Sequence, residues 1–144
     1  MYQDILLPTD GSDSVSSAVK RGIELARDYD ATVHALTVKE STGAVKRDQI
    51  RHDPDEAAEQ ALTAVQKEAE AHSVSTESYV ESGVPHAVIT DYIDTHDIDL
   101  IVVGSHGRHG FALLLGSTST GVLHGAKCDV LAVRVGKKGE ESDE

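Results

Sequence analysis

Cys128 is the chain's one cysteine, so an internal disulfide framework is excluded and a reducing, cytoplasmic setting fits. Aromatic residues make up only 3% of the chain, against 39% hydrophobic residues overall. The core must therefore be built from Val, Ile, Leu and Ala, the usual filling of a parallel sheet covered by helices. No apolar run reaches the roughly 18 residues of a membrane span. The start, Met1-Tyr2-Gln3-Asp4, lacks the basic region and long apolar run of a secretion signal. No membrane partner is expected. Basic residues are also scarce, with 13 Lys and Arg against 25 Asp and Glu and a net charge of −12. Such a surface repels phosphate backbones, so no nucleic-acid partner is expected. An acidic, lysine-poor surface suits a high-salt cytoplasm, where screening relieves self-repulsion, and a halophilic origin is expected on that ground. Stabilisation by rising KCl would separate a halophile from an ordinary acidic protein.

What is present is an alternation of apolar runs and helical patterns. Tyr2 to Pro8 reads as a first strand. Val15, Ala18, Val19, Gly22, Ile23 and Ala26 share one face of a helix. Thr32 to Val38 reads as strand two, followed by a polar loop from Lys39 to Pro54. A second helix, Asp55 to His72, turns Ala58, Ala61, Leu62, Val65 and Ala69 inward. Ser75 to Glu81 is a weaker third strand. Pro85 suits the first turn of a third helix that buries Val88, Ile89, Tyr92 and Ile93. Asp99 to Val103 is strand four, Ser117 to Ala126 a fourth helix, and Asp129 to Val135 strand five. Residues 1–136 form one domain by this pattern, and residues 137–144 an acidic, disordered tail.

This alternation implies an α/β fold, a single doubly wound domain with a five-stranded parallel sheet. The expected order is 3-2-1-4-5 with two helices on each face. In such sheets ligands bind beyond the carboxyl ends of the strands, where the strand order reverses. Here that crevice lies between strands one and four. The turns there read Pro8-Thr9-Asp10-Gly11-Ser12 and Gly104-Ser105-His106-Gly107-Arg108, with Gly116-Ser117-Thr118 leading into the fourth helix. Glycine lets backbone N–H groups approach an anion, and a helix start offers unpaired donors and partial positive charge.

The opening Ile5-Leu6-Leu7-Pro8-Thr9-Asp10-Gly11-Ser12, the Gly104-x-x-Gly107 turn, Gly116-Ser117 and the closing Asp129-Val130-Leu131-Ala132-Val133 resemble the universal stress protein (UspA-like) family. The resemblance spans residues 2–135. It implies a doubly wound domain, a homodimer and, in one subgroup, an ATP site. The spacer from Gly107 to Gly116 holds eight residues, one fewer than that subgroup's pattern. Position by position, the resemblance puts Asp10 beside the ribose and adenine, with Pro8 and Thr9 shaping its turn. Val38 would meet the adenine edge through its backbone, and Gly104 the ribose. Gly107, Arg108, Gly116, Ser117 and Thr118 would surround the phosphates, Arg108 as a charged partner. Magnesium arriving with ATP needs only a carboxylate and phosphate oxygens, and Asp10 is the best placed candidate. The resemblance also implies that strand 129–135 pairs with its twin across a two-fold axis, which would bury an open sheet edge.

Plainer roles stay open. Asp10 to Asp13 suits a helix cap, Gly104 to Gly107 a tight turn, and Ser117 and Thr118 caps that are compatible with phosphate binding. His106 and His109 read as loop surface, Tyr79 and Tyr92 as packing, and Cys128 as a small residue entering strand five. No His, Cys or Asp cluster has metal spacing. No catalytic residue is assigned: there is no Ser-His-Asp order, no paired carboxylates with a base and no Gly-Lys-Ser/Thr ending. An ATP pyrophosphatase-type ligase is disfavoured because Asp10 stands where its loop needs glycine. A response-regulator receiver would need an aspartate ending strand three, where the chain reads Tyr79-Val80-Glu81-Ser82-Gly83. The expected function is an adenine-nucleotide (ATP)-binding, dimeric stress-response module that is at most a slow ATPase. The alternative is a nucleotide-free dimeric interaction module of the same family.

Overall fold

A computed structural model describes residues 2–9, 13–40, 54–104 and 127–133. The elements run β1 (Asp4–Pro8), α1 (Asp13–Tyr29), β2 (Thr32–Glu40), α2 (Pro54–Ala71), β3 (Thr76–Gly83), α3 (Pro85–Thr95), β4 (Leu100–Gly104) and β5 (Asp129–Val133). All four strand pairings are parallel, as the alternation implies, and the sheet order is the expected β3-β2-β1-β4-β5.

The central strand shows why continuous apolar runs mark this sheet. Ile5, Leu6 and Leu7 are all 0% exposed, because helices cover both faces. Ile5 and Leu7 point to the side of α1 and α2, where they join Ala18, Ile23, Val33, Ala35, Val65 and Val102. Leu6 points the other way, onto Leu36, Ile89, Tyr92, Ile93 and Ile101 under α3. The fourth expected helix, Ser117 to Ala126, lies outside the described residues. So do the expected end of strand five at residues 134–135 and the whole expected tail, residues 137–144.

Helix α1 lies very close to β1. A Cβ built at Gly22 would overlap Cδ2 of the fully buried Leu7, so any larger residue there must displace that side chain. The three helix-to-strand turns among the described residues repeat one device. Asp30, Ser73 and Asp97 adopt φ values of 59°, 58° and 52°. After each, an N–H reaches back to a carbonyl five residues earlier: Ala31 to Ala26, Val74 to Ala69 and Ile98 to Ile93. The residue after each turn is buried, which completes the hydrophobic half of a Schellman-type cap. Polar residues fill the place usually held by glycine.

The boundaries differ from the sequence pattern where the partner strand decides them. β2 continues past Val38 because Lys39 and Glu40 pair with Ser82 and Gly83, so the first two residues of the expected polar loop belong to the strand. β1 begins at Asp4 rather than Tyr2, and β4 at Leu100 rather than Asp99. Asp99 instead ties the strand starts together. Its Oδ2 accepts from the Gln3 and Asp4 N–H groups at 2.8 and 2.9 Å. Val88 is half-buried rather than buried, lying against Gly83 at the mouth of the β3–α3 turn. None of the described helices is long and apolar enough to cross a membrane.

Candidate functional site

The strand order reverses between β1 and β4, and there the ladder is short. Their pairing covers only Ile5↔Leu100 and Leu6↔Ile101. β1 then continues with β2 to Pro8↔Leu36, while β4 continues with β5 to Gly104↔Val133. Proline explains the parting. The Thr9 N–H donates to Leu36 O on β2 at 2.9 Å. Successive N–H groups of a strand point to opposite sides, so position 8 faces β4, and Pro8 has no N–H to give there.

The end of β1 is held firmly from the β2 side. Thr9 is 8% exposed and Thr37 6%. The Thr37 hydroxyl donates to the Thr9 carbonyl at 2.9 Å. Val38, the next residue of β2, packs partly buried against the cluster under α3. Gly104 closes β4 as a buried residue without a side chain. Pro8, Thr9, Val38 and Gly104 thus stand at the carboxyl ends of three neighbouring strands, on one edge of the sheet. Asp10, Gly107, Arg108, Gly116, Ser117 and Thr118 lie outside the described residues, and the magnesium assignment to Asp10 lies there with them. Among the described residues, no group of three or more His, Cys, Asp or Glu is arranged for a metal.

A sequence profile described as the universal stress protein family matches residues 1–134. The chain belongs to the universal stress protein family. A universal stress protein of Methanocaldococcus jannaschii is 34% identical to it, over 96% of this chain and 85% of that protein. The solved structure of the universal stress protein UspA from Lactobacillus plantarum superposes with a TM-score of 0.75 at 27% identity, over 92% and 98% of the two chains. A universal stress protein crystallised in complex with cAMP matches with a TM-score of 0.71 at 28% identity, over 94% and 99%.

One cluster of polar residues in this family member escapes the sequence pattern. At the amino edge of the sheet, His34 is 4% exposed. Its Nε2 meets Asp4 Oδ1 at 2.9 Å, and its Nδ1 meets the Tyr92 hydroxyl at 2.8 Å. An ionised carboxylate only accepts, so Nε2 carries the hydrogen, and in the neutral imidazole Nδ1 then accepts from Tyr92. Burial raises the Tyr92 pKa far above the usual phenol value, keeping that hydroxyl a donor. The His96 ring stacks on Tyr92, with centroids 3.8 Å apart and planes 13° apart. Tyr92 therefore does more than pack. The one available signal was a histidine inside the apolar run Val33-His34-Ala35-Leu36. This cluster lies at the end of the sheet opposite Pro8 and Gly104, and its chemistry is structural: both ring nitrogens of His34 and the Tyr92 hydroxyl have a partner.

Proposed function

We propose that this universal stress protein binds an adenine nucleotide in the opening between β1 and β4, and acts as a regulatory binding module with at most slow ATP hydrolysis. The parting of β1 and β4 beyond Leu6 and Ile101 is the observation that carries this reading. That ladder ends at the switch point of a parallel sheet, where such folds take ligands. Buried Gly104 at the end of β4 allows close backbone approach. The relative crystallised with cAMP supports an adenine ligand.

In this reading ATP is the ligand and brings magnesium, which neutralises charge between a carboxylate and phosphate oxygens. Asp10 holds the metal and flanks the ribose and adenine. Pro8 and Thr9 set the turn that carries it, and the Val38 backbone meets the adenine edge. Gly104 approaches the ribose, while Gly107, Arg108, Gly116, Ser117 and Thr118 receive the phosphates. The protein works in the cytoplasm as a homodimer through strand 129–135. β5 supports that pairing: it is an edge strand, with Val130 and Leu131 half-buried.

Asp10→Ala and Gly116→Val are expected to lower ATP affinity at least tenfold, about 1.4 kcal/mol, with the melting temperature and oligomeric state unchanged. Unchanged affinity in both variants would refute the site. A wild-type protein that binds no adenine nucleotide would favour the nucleotide-free interaction module, consistent with the short spacer between Gly107 and Gly116.

A further inference from the structure

The sheet ends in β3 on one side and β5 on the other, and the two edges differ in charge. β3 carries exposed Glu77 and Glu81 on either side of Tyr79, and charges guard a free edge. A second copy laid antiparallel on β3 about Tyr79 would set Glu77 against Glu81 of the partner subunit, like against like. β5 reads Asp129-Val130-Leu131-Ala132-Val133 and has no charge after its first residue. That charge is turned back onto its own chain, where the Tyr2 hydroxyl donates to Asp129 Oδ2 at 2.7 Å.

The backbone of β5 shows what its edge offers. The Asp129 N–H donates to Asp99 O at 3.1 Å, on the β4 side. The backbone groups of successive strand residues point to opposite sides, so Leu131 and Val133 also turn theirs toward β4. Val130 and Ala132 turn both N–H and C=O outward, where no strand among the described residues receives them. Half-buried Leu131 packs on the cluster under α1 and α2, and half-buried Val130 on the one under α3. Ala132 is exposed.

We infer that a second copy of this chain covers the β5 edge as an antiparallel strand, with Leu131 on the two-fold axis. This rests on the homodimer reading and gives it a register. Val130 then opposes Ala132 of the partner subunit, large against small, and each such pair exchanges both backbone hydrogen bonds. Leu131 meets Leu131 of the partner subunit in the closer, non-hydrogen-bonded kind of pair, with Cα atoms about 4.5 Å apart. Each leucine covers apolar surface that the other leaves open. The Cα atoms of Asp129 and of the partner subunit's Asp129 stand about 14 Å apart. An axis at Val130 would bring these two to about 8 Å and set a carboxylate against Leu131 of the partner subunit. An axis at Ala132 would put alanine against alanine at the centre and separate the leucines.

The test combines sedimentation of the wild-type chain over a range of concentrations with cysteine cross-linking. In a Cys128→Ser background, Val130→Cys, Leu131→Cys and Ala132→Cys each place one thiol on the edge. Mild oxidation is expected to link Leu131→Cys into a dimer that a reductant splits, because its Cα separation suits a disulfide. Val130→Cys and Ala132→Cys are expected to stay unlinked, since each lies about 8 Å from its twin in this register. Ala132→Pro removes an outward N–H and leaves the β4 ladder intact. It is expected to turn the dimer into a folded monomer with cooperative unfolding, and if it does not fold the cysteine series decides alone. A wild-type dimer in which Val130→Cys or Ala132→Cys is the variant that links overturns the register and leaves the homodimer standing. A dimer in which none of the three links overturns β5 as the interface. A wild-type chain that stays monomeric at every concentration removes the homodimer reading and this inference together.

Discussion

Tyr92→Phe isolates one hydrogen bond of the buried chain at the amino edge of the sheet. The phenyl ring keeps the stack on His96 and the packing among Ile89 and Ile93, and only the donor to His34 Nδ1 is lost. With Nε2–H committed to Asp4, Nδ1 is then a buried acceptor with no donor, on a ring only 4% exposed. Leaving such a group unsatisfied costs about 1–3 kcal/mol. For a domain of this size that corresponds to a fall in melting temperature of about 3–10 °C. Urea unfolding of wild type, Tyr92→Phe, His34→Leu and the double variant forms a double-mutant cycle. His34→Leu strands the Tyr92 hydroxyl, so the double variant is expected to be more stable than the sum of the single effects predicts, by about 1 kcal/mol or more. A Tyr92→Phe protein within about 0.5 kcal/mol of wild type, with additive effects around the cycle, would refute the assigned tautomer and the bond. Nucleotide affinity should not change, because the cluster and the opening lie at opposite ends of the strands.

Gly22→Ala tests the close approach of α1 to β1. In an open helix interior the change gains about 0.5–1 kcal/mol, but here the added methyl meets Leu7, and overpacking of about 1–3 kcal/mol outweighs the gain. The melting temperature should fall, and a rise would show that Leu7 has room to move. Burial, with the Asp129 and Asp99 charges adding to it, pushes the Cys128 thiol up from 9.0 to about 11. The folded protein holds this proton more tightly than the unfolded chain does. The resulting stability is intact below the ordinary thiol value and is lost as pH rises through about 11. Iodoacetamide at about pH 8 should label the native protein more slowly than the urea-unfolded chain, and equal rates would contradict the raised thiol pKa of half-buried Cys128.

The central strands were legible because burial on both faces writes itself as the unbroken runs Ile5-Leu6-Leu7 and Leu100-Ile101-Val102-Val103. β3 reads weakly for the opposite reason: as an edge strand it pairs with β2 alone, and Glu77 and Glu81 stay exposed. The end of β2 was hidden because Lys39 and Glu40 have loop-like side chains, and a backbone ladder to β3 makes them a strand. The helix ends carried no glycine signal, since Asp30, Ser73 and Asp97 take the left-handed conformation themselves. At the site, Pro8 and Gly104 were readable as punctuation at strand ends. Thr37 was not, because a threonine in a strand has the same β-branched signature whether or not its hydroxyl is used. The Asp4–His34–Tyr92 chain joins three distant segments, so no local spacing announces it.

The most direct test of the nucleotide site is to denature freshly purified protein and chromatograph the small molecules it releases. The account predicts an adenine nucleotide at close to one per chain. A protein that releases none, and that gives no heat with ATP and magnesium, AMP or cAMP at high salt, would contradict it.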